Sequence, residues 1–146
     1  MSKRKVQVWV YLRNPKTLVY FFLILKTRPD RGGFWQPITG GVEKEENLAE
    51  AALREAQEET GIVYKEAPEP LFYEFEFESR GHLFTEHGFS LPIKALDDSG
   101  TLPAVKIDPK EHVEYQWVTA REAFKTIAHA SNATMLKVLL SRLAKQ

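Results

Sequence analysis

The sequence has no cysteine among its 146 residues. This absence excludes disulfide bonds, zinc–thiolate sites and a cysteine nucleophile. The chain also has no excess of charge of one sign, because 20 Lys and Arg balance 20 Asp and Glu. A neutral chain is not expected to bind nucleic acid or a membrane surface through bulk electrostatics.

Long apolar runs are missing as well. The stretch YFFLIL at residues 20–25 is far too short to span a bilayer, which takes about 20 residues. The basic N-terminus, MSKRKVQVWV, has no long apolar segment after it, unlike a secretory signal. We therefore expect a cytoplasmic protein with no membrane partner. A length of 146 residues with 43% hydrophobic residues fits one domain over residues 1–146.

The spacing of apolar residues predicts strands and helices in mixed order. Alternating or short continuous apolar runs predict strands, and capping residues predict where helices begin. Residues 96–110, with Asp, Gly and Pro, are expected to form a loop. The predicted strands cover residues 5–12, 18–26, 34–39 (strand or extended loop), 71–78, 82–94 and 112–118, and the predicted helices run from Asn47 to Gly61, from Thr119, and from Ser131 or Asn132 to about Ala144.

The predicted helix before Gly61 carries an unusual acidic patch. Its residues Glu55, Glu58 and Glu59 are three and four positions apart and therefore share one face. Three carboxylates so close together repel each other unless a cation neutralises them, and hard oxygen ligands suit Mg²⁺ or Mn²⁺. The alternative is a solvated helix face, in which the pair Arg54–Glu58 simply supports the helix.

The wider pattern resembles the Nudix box, Gly-x5-Glu-x7-Arg-Glu-U-x-Glu-Glu-x-Gly-U, where U is apolar. At about 7% usage per residue type, its fixed positions match by chance on the order of once in 10⁷ to 10⁸ starts. The resemblance implies an α/β/α sandwich around a mixed β-sheet and Mg²⁺- or Mn²⁺-dependent hydrolysis of a nucleoside diphosphate derivative. The matching residues are Gly40, Glu46, Arg54, Glu55, Ala56, Glu58, Glu59, Gly61 and Ile62.

The resemblance also implies a role for each box residue. Glu55 and Glu59 are expected to be direct metal ligands, with Glu58 as a further ligand or the general base. The backbone carbonyl of Gly40 is expected to be another ligand. Arg54 is expected to orient a catalytic glutamate through a bidentate pair.

A general base outside the box is common in this family. Glu111, just before the strand at 112–118, is the preferred candidate and a further metal ligand, and Glu86 is its rival. Glu46 is expected to pair within the loop–helix unit, with Arg54 as a candidate partner. The histidines show no ligand spacing and are expected on the surface or behind the ligands: His82, His87, His112 and His129.

The stretch FWQPITG at residues 34–40 looks like a segment of bacterial dihydroneopterin triphosphate pyrophosphohydrolases. Trp35 is either a stacking platform for a flat ring or a core aromatic, and Phe34 is expected in the core. Arg4 or Lys5 is a candidate basic contact. The substrate contacts implied by the likeness are Arg28, Trp35, Thr39, Ser131 and Asn132.

These observations together predict a Mg²⁺-dependent pyrophosphohydrolase. Its expected substrate is dihydroneopterin triphosphate or a (d)NTP such as dGTP, because pterin and guanine have similar hydrogen-bonding edges, and its expected products are the monophosphate and pyrophosphate. One alternative is another nucleoside diphosphate derivative (a dinucleoside polyphosphate, a nucleotide sugar or capped RNA). Another is a non-catalytic module that binds a nucleotide. The apolar faces at 20–25 and 71–78 belong either to the core or to a homodimer interface.

Overall fold

The computed structural model describes residues 2–94 and 101–146. In this part of the chain, seven strands form one mixed sheet between two helical layers. The strands are β1 (Lys3–Arg13), β2 (Tyr20–Thr27), β3 (Trp35–Gln36), β4 (Ile38–Gly41), β5 (Glu69–Ser79), β6 (His82–Ile93) and β7 (His112–Val118). The helices are α1 (Leu48–Thr60), α2 (Ala120–Thr126) and α3 (Ala130–Leu143), with a 3₁₀ turn at Pro29–Arg31.

The central strand β1 changes partner along its length. It runs parallel to β6 throughout, but its other edge pairs antiparallel with β2 at residues 11–13 and with β4 at residues 5–8. β2 in turn pairs with β7 along residues 22–27, and with β3 beyond the point where it leaves β1. The two halves of the sheet therefore separate on one side of β1, and Gly40 of β4 lies opposite Val6 in this region.

Alternation along β1 builds a core on each face of the sheet. Val6, Val8 and Val10 face the cluster that packs against α1, whereas Trp9 and Tyr11 face the cluster that includes α2 and α3. Successive strand residues point to opposite faces, so one strand serves both layers. The α/β/α sandwich expected from the sequence is confirmed.

The helix boundaries follow the predicted caps in two of three cases. Asn47 forms a capping box with Glu50, and Gly61 ends α1 in the left-handed region at φ 68°, which glycine adopts without strain. Thr119 caps α2 as expected. The prediction for α3 is wrong by one or two residues: it begins at Ala130, after His129, whose side chain makes no capping hydrogen bond. Ser131 and Asn132 therefore lie inside its first turn.

The predicted strands are confirmed, with small differences at their ends. β2 begins at Tyr20 instead of residue 18, because Leu18 lies in a turn with φ 64°. Of the expected loop at 96–110, residues 96–100 lie outside the described residues, and residues 101–108 form neither helix nor strand. Within 2–94 and 101–146, the helices are too short or too polar to cross a bilayer.

Candidate active site

A polar cleft of ≈ 580 Å³ opens where β1 changes partner. Lys5 of β1, the loop around Arg31, the end of β4, one face of α1 and residues 111–112 contribute to its walls. Glu55, Glu59 and Glu111 all line it. We call this space the acidic lobe. The structure thus brings together box residues and one glutamate that is more than fifty positions away in the sequence.

Arg54 holds the loop before α1 against the helix. Its guanidinium donates to both carboxylate oxygens of Glu46, from Nε at 2.8 Å and from Nη2 at 2.9 Å. Nη2 also donates to the carbonyl of Gly41 at 2.8 Å, and Nη1 donates to Glu55 Oε1 at 3.0 Å. Hydrogen bonds from Arg54 lower the pKa of Glu46 to about 2. The pairing of Glu46 with Arg54 is the one that the sequence suggested, but the bidentate geometry, which was expected with a catalytic glutamate, is found with Glu46, and Glu55 accepts a single hydrogen bond.

Glu55 is a carboxyl group in a poorly solvated position. Burial raises its pKa to about 7, while the hydrogen bond and charge of Arg54 oppose the rise. The nearby charges of Glu58 and Glu59 add to it. The carboxyl group lies directly over Gly40, where an added Cβ would collide with it. Gly40 is therefore needed for the close approach of β4 to α1.

Glu59 is buried beside His112. Its Oε2 lies 2.8 Å from Nδ1 of His112, and the two side chains are 7% and 5% exposed. The two atoms are at ion-pair distance, but among the described residues this oxygen and both ring nitrogens form no hydrogen bond. Buried polar atoms without a partner are costly. Such atoms beside a cleft indicate a site that a ligand or ion completes.

These features fit a divalent cation. Carboxylate and carbonyl oxygens are the ligands that Mg²⁺ prefers, and Mg²⁺ keeps several waters instead of filling its shell with protein groups. Glu55, Glu59 and the backbone of Gly40 bring oxygen atoms of this kind to the walls of the acidic lobe, where they would be candidate ligands. Within the described ranges, no group of three or more His, Asp or Glu side chains is arranged to hold a metal ion. A cation bound here would therefore have few protein ligands and would complete its coordination shell with water.

The remaining predicted catalytic residues lie at the edge of this site. Glu111 lines the acidic lobe and accepts a hydrogen bond from Arg31 Nη1 at 2.8 Å. The side chain of Glu58 is 57% exposed and lies 3.4 Å from Arg54 Nη1, beside the lobe. The roles of both residues stay predictions.

The predicted substrate cation, Arg28, pairs with Asp30 at 3.0 Å. Among the described residues, Arg31 lines the acidic lobe and Arg28 does not. No role was predicted for Arg31, although the segment TRPDRGG at residues 27–33, whose Pro and Gly residues interrupt the strand pattern, was a usable signal. A substrate contact by Arg28 stays a prediction.

A second cavity of ≈ 490 Å³ continues from the acidic lobe. The two spaces share four lining residues, which are Lys5, Gln36, Thr39 and His129. We call the second space the aromatic lobe, and its own walls are Phe75, Glu76, Phe77, Glu86, Ser131 and Asn132. The structure therefore places Thr39 at the junction of the lobes, and Ser131 and Asn132 in the second one.

The two aromatic residues of the FWQ segment lie on different sides of it, and Trp35 takes the core position, which was one of its two predicted alternatives. Trp35 packs against the core between the sheet and the helices α2 and α3. Phe34 is 38% exposed and lines the acidic lobe, with its ring edge-to-face with His129 at 4.8 Å between centroids. The expectation that Phe34 lies in the core is wrong, because neighbouring residues in an extended segment point to opposite sides.

Glu86, the rival candidate for the base, lies in the aromatic lobe. Its Oε2 accepts a hydrogen bond from Gln7 Nε2 at 2.8 Å. Burial raises its pKa, while the hydrogen bond from Gln7 and the charge of Lys5 lower it. No role was predicted for Gln7, although a polar residue inside the apolar strand KVQVWV was a visible signal.

Comparison with protein families agrees with this geometry. The NUDIX domain model matches residues 3–139. The chain therefore belongs to the NUDIX family, as the sequence predicted. The class is that of the Nudix hydrolases, which act on phosphoric anhydride bonds.

Several curated proteins are similar to the chain. It is 26% identical over 154 residues to a dihydroneopterin triphosphate diphosphatase of Haemophilus influenzae, covering 92% of both chains. It is 26% identical over 126 residues to an RNA pyrophosphohydrolase of Campylobacter jejuni, covering 80% of this chain and 78% of that one. It is also 34% identical over 122 residues to a Myxococcus xanthus protein named octanoyltransferase. That match covers 79% of this chain, which spans 30% of that protein's length.

Solved structures show the same fold. The Ap4A hydrolase of C. elegans in a binary complex aligns with a TM-score of 0.80 at 22% identity, covering 99% of each chain. The E. coli dihydroneopterin triphosphate pyrophosphohydrolase aligns with a TM-score of 0.66 at 25% identity, covering 94% of this chain and 95% of that one. At 22% identity, the similarity to the Ap4A hydrolase shows a shared fold and nothing about the substrate of this chain.

Proposed function

We propose that the protein is a Mg²⁺-dependent pyrophosphohydrolase of a nucleoside triphosphate-like substrate. The substrate would be dihydroneopterin triphosphate or a (d)NTP such as dGTP, and the products its monophosphate and pyrophosphate. The observation that carries the proposal is the pair of connected lobes, one acidic and one aromatic. A triphosphate joined to a flat ring has the same division into an anionic end and an apolar end.

The acidic lobe would hold the metal and the phosphates. Glu55, Glu59 and the carbonyl of Gly40 would be the ligands, with Glu58 and Glu111 as further ligands or as the base. A bound Mg²⁺ or Mn²⁺ would neutralise charge on the phosphate oxygens.

The other side chains of this lobe would position the reacting groups. Arg54 would orient Glu55 through the hydrogen bond at 3.0 Å. Lys5 and Arg31 bring positive charge to the same walls, where they would attract the polyphosphate. The hydroxyl of Thr39 is available at the junction of the lobes to hydrogen-bond the substrate between its phosphates and its ring.

A second candidate is hydrolysis of a different nucleoside diphosphate derivative. The names of the relatives favour it, because one is called an RNA pyrophosphohydrolase and a structural neighbour an Ap4A hydrolase. A net charge of zero argues against RNA as a partner. A binding module without catalysis is disfavoured because all the glutamates of the box are present.

Three broader expectations also stay predictions. They are one domain over residues 1–146, a cytoplasmic location, and a homodimer. The exposed Phe72 and Tyr73 of β5 are compatible with a contact surface. Light scattering on the purified protein would measure the oligomeric state directly.

A substrate screen tests the proposed activity. Phosphate release with Mg²⁺ and a coupling pyrophosphatase would be compared across dihydroneopterin triphosphate, the common (d)NTPs, dinucleoside polyphosphates and nucleotide sugars. We expect turnover of a triphosphate that is detected only with the coupling enzyme, since the direct product is pyrophosphate. Turnover of dinucleoside polyphosphates alone would select the second candidate, and no turnover of any compound would refute the proposal.

Matched substitutions test the assigned residues. Glu59→Gln and Glu58→Gln are each expected to lower kcat at least ~10²-fold, through lost charge stabilisation or lost general-base catalysis. Glu111→Gln, measured alongside, separates the two candidate bases. Glu78→Gln, on an exposed position of β5, is the control for a neutralised carboxylate elsewhere. Near-normal rates in both box variants would place the metal site elsewhere.

A further inference from the structure

Glu86 occupies a position that the proposed hydrolysis does not use. We propose that Glu86 selects the ring of the substrate, by accepting hydrogen bonds from the adjacent ring N–H and amino group that guanine and pterins share. The inference rests on the proposed function for the position of the phosphates. It adds a specificity-determining residue and narrows the substrate to rings with this donor edge.

A buried chain of hydrogen bonds fixes Glu86. Trp9 Nε1 donates to Gln7 Oε1 at 2.8 Å, and Gln7 Nε2 donates to Glu86 Oε2 at 2.8 Å. Trp9 and Gln7 are 0% exposed and Glu86 is 5% exposed. Since the indole N–H is only a donor, the amide oxygen of Gln7 must face Trp9 and its NH₂ must face Glu86. Glu86 Oε2 is therefore held as an acceptor.

The other carboxylate oxygen of Glu86 remains available to a ligand. Among the described residues, Gln7 supplies the one recorded hydrogen bond to this side chain, and Glu86 lines the aromatic lobe. Lys5, opposite Glu86 in the register of β1 and β6, also lines the lobe, and its charge opposes the rise in pKa that burial gives the Glu86 carboxyl. The ionised form of this carboxyl only accepts hydrogen bonds. A ring that binds to the ionised form must then supply donors.

Asn132 provides a second acceptor that lacks a donor. It is 3% exposed, it lines the same lobe, and its Oδ1 is buried with no hydrogen-bond partner among the described residues. Leaving such an atom unpaired is unfavourable. Glu86 therefore offers an acceptor to the cavity, Asn132 lines the same cavity with its amide oxygen buried behind the wall, and Phe75 and Phe77 supply apolar wall for a flat ring.

The common rings differ in the donors that they offer. Guanine and pterins place a ring N–H beside an exocyclic NH₂, which gives three adjacent N–H donors. Adenine and cytosine place the NH₂ beside a ring nitrogen lone pair, which a carboxylate repels. Thymine and uracil offer one N–H between two carbonyls. A site built from buried hydrogen-bonding groups rejects ligands that leave those groups unpaired.

Binding of nucleoside monophosphates tests this inference apart from hydrolysis, because these compounds have no anhydride bond. Calorimetry would give Kd for GMP, IMP and AMP with the wild-type chain, with Glu86→Gln and with the exposed control Glu78→Gln. We expect the wild type to bind GMP best, IMP less well because it lacks the amine, and AMP at least ~10-fold more weakly than GMP. Glu86→Gln should reduce the GMP-to-AMP preference about 10-fold, and Glu78→Gln should leave it unchanged.

Several results would overturn the inference. They are no binding of GMP by the wild type, equal or tighter binding of AMP, or an unchanged preference in Glu86→Gln. If Glu86→Gln does not fold, Asn132→Leu, of similar size, gives the same test on the second acceptor. If the protein hydrolyses a triphosphate but shows any of these binding results, ring selection by Glu86 is refuted and the proposed activity stands. If the protein prefers GMP but hydrolyses no triphosphate, the proposed activity is refuted and ring selection stands.

Discussion

The acidic and aromatic lobes of the cleft are built in different ways. The acidic lobe takes Gly40, Glu55 and Glu59 from one continuous stretch, with Glu111 and His112 added from a distant one. The aromatic lobe takes its walls from the strands β1, β5 and β6 and from the first turn of α3. The residues of the proposed chemistry are thus close in sequence, whereas those of the proposed ring recognition meet only when the sheet is complete.

The electrostatics of the two lobes also differ. At the acidic lobe, the guanidinium of Arg54 holds Glu55, which lines the lobe, and Glu46 beside it, and Glu59 keeps a buried oxygen without a hydrogen bond. In the aromatic lobe, Glu86 is held by a neutral amide, Gln7. Paired charges are expected where a cation and phosphates bind. A carboxyl group that is oriented by a neutral amide is expected where uncharged rings are distinguished by their hydrogen-bond donors.

Of the effects that follow from comparing the two lobes, the largest is expected at the close approach of Gly40 to Glu55. In Gly40→Ala the new methyl group would collide with the carboxyl group of Glu55, which must move away from the proposed metal position. We expect kcat/KM to fall by about 10²-fold, because misplaced catalytic groups lose effective molarity. Steady-state kinetics at saturating Mg²⁺ would measure the loss.

The neighbouring Gly41 offers a matched control. A Cβ there would meet no atom within 4 Å, and the carbonyl that accepts from Arg54 is kept. Gly41→Ala should therefore cost much less than Gly40→Ala. Equal losses in the two variants would show that flexibility of the loop matters, and not the contact with Glu55.

A smaller effect should be visible in the pH dependence of the rate. Burial raises the pKa of Glu55 to about 7, so in the free enzyme this carboxyl gains a proton as the pH falls through 7. A protonated carboxyl does not bind a cation, and proton and metal therefore compete. At low Mg²⁺ we expect kcat/KM to fall about tenfold per unit below pH 7, and saturating Mg²⁺ should move this limb to lower pH.

Rate profiles at several Mg²⁺ concentrations would check this competition. The diagnostic quantity is the apparent pKa of the acidic limb, which should decrease steadily as Mg²⁺ rises. An apparent pKa that does not change with Mg²⁺ would mean that the titrating group is not a metal ligand. Glu55 would then be excluded as the source of the limb.

The difference between the lobes also explains how much the sequence could predict. The capping box at Asn47, the end of α1 at Gly61 and the shared face of Glu55 and Glu59 depend on spacings of three and four residues, which helical geometry fixes. The α/β/α sandwich was expected from the family resemblance, and the alternation in β1 is consistent with it because alternate residues enter the cores on the two faces. These elements were confirmed.

Contacts between distant segments could not be predicted in this way. Glu86 was considered as a base, but its register opposite Lys5 and its hydrogen bond to Gln7 depend on the parallel pairing of β1 and β6. The prediction for Phe34 was wrong because the side of the sheet on which its ring lies depends on where β3 starts, which the sequence does not show. The pairing of Arg31 with Glu111 joins residues 80 positions apart.

The smallest predicted effect separates the two neighbouring aromatic residues at the junction. Phe34 lines the cleft beside His129, whereas Trp35 packs against the core of α2 and α3. Phe34→Leu should raise KM about 2- to 10-fold with little change in melting temperature, as expected for the loss of one aromatic contact with a ring. Trp35→Leu should instead lower the melting temperature with a smaller change in KM. Steady-state kinetics and thermal denaturation of both variants would measure these effects. A large rise in KM for Trp35→Leu, with a lower melting temperature for Phe34→Leu, would instead make Trp35 the stacking platform.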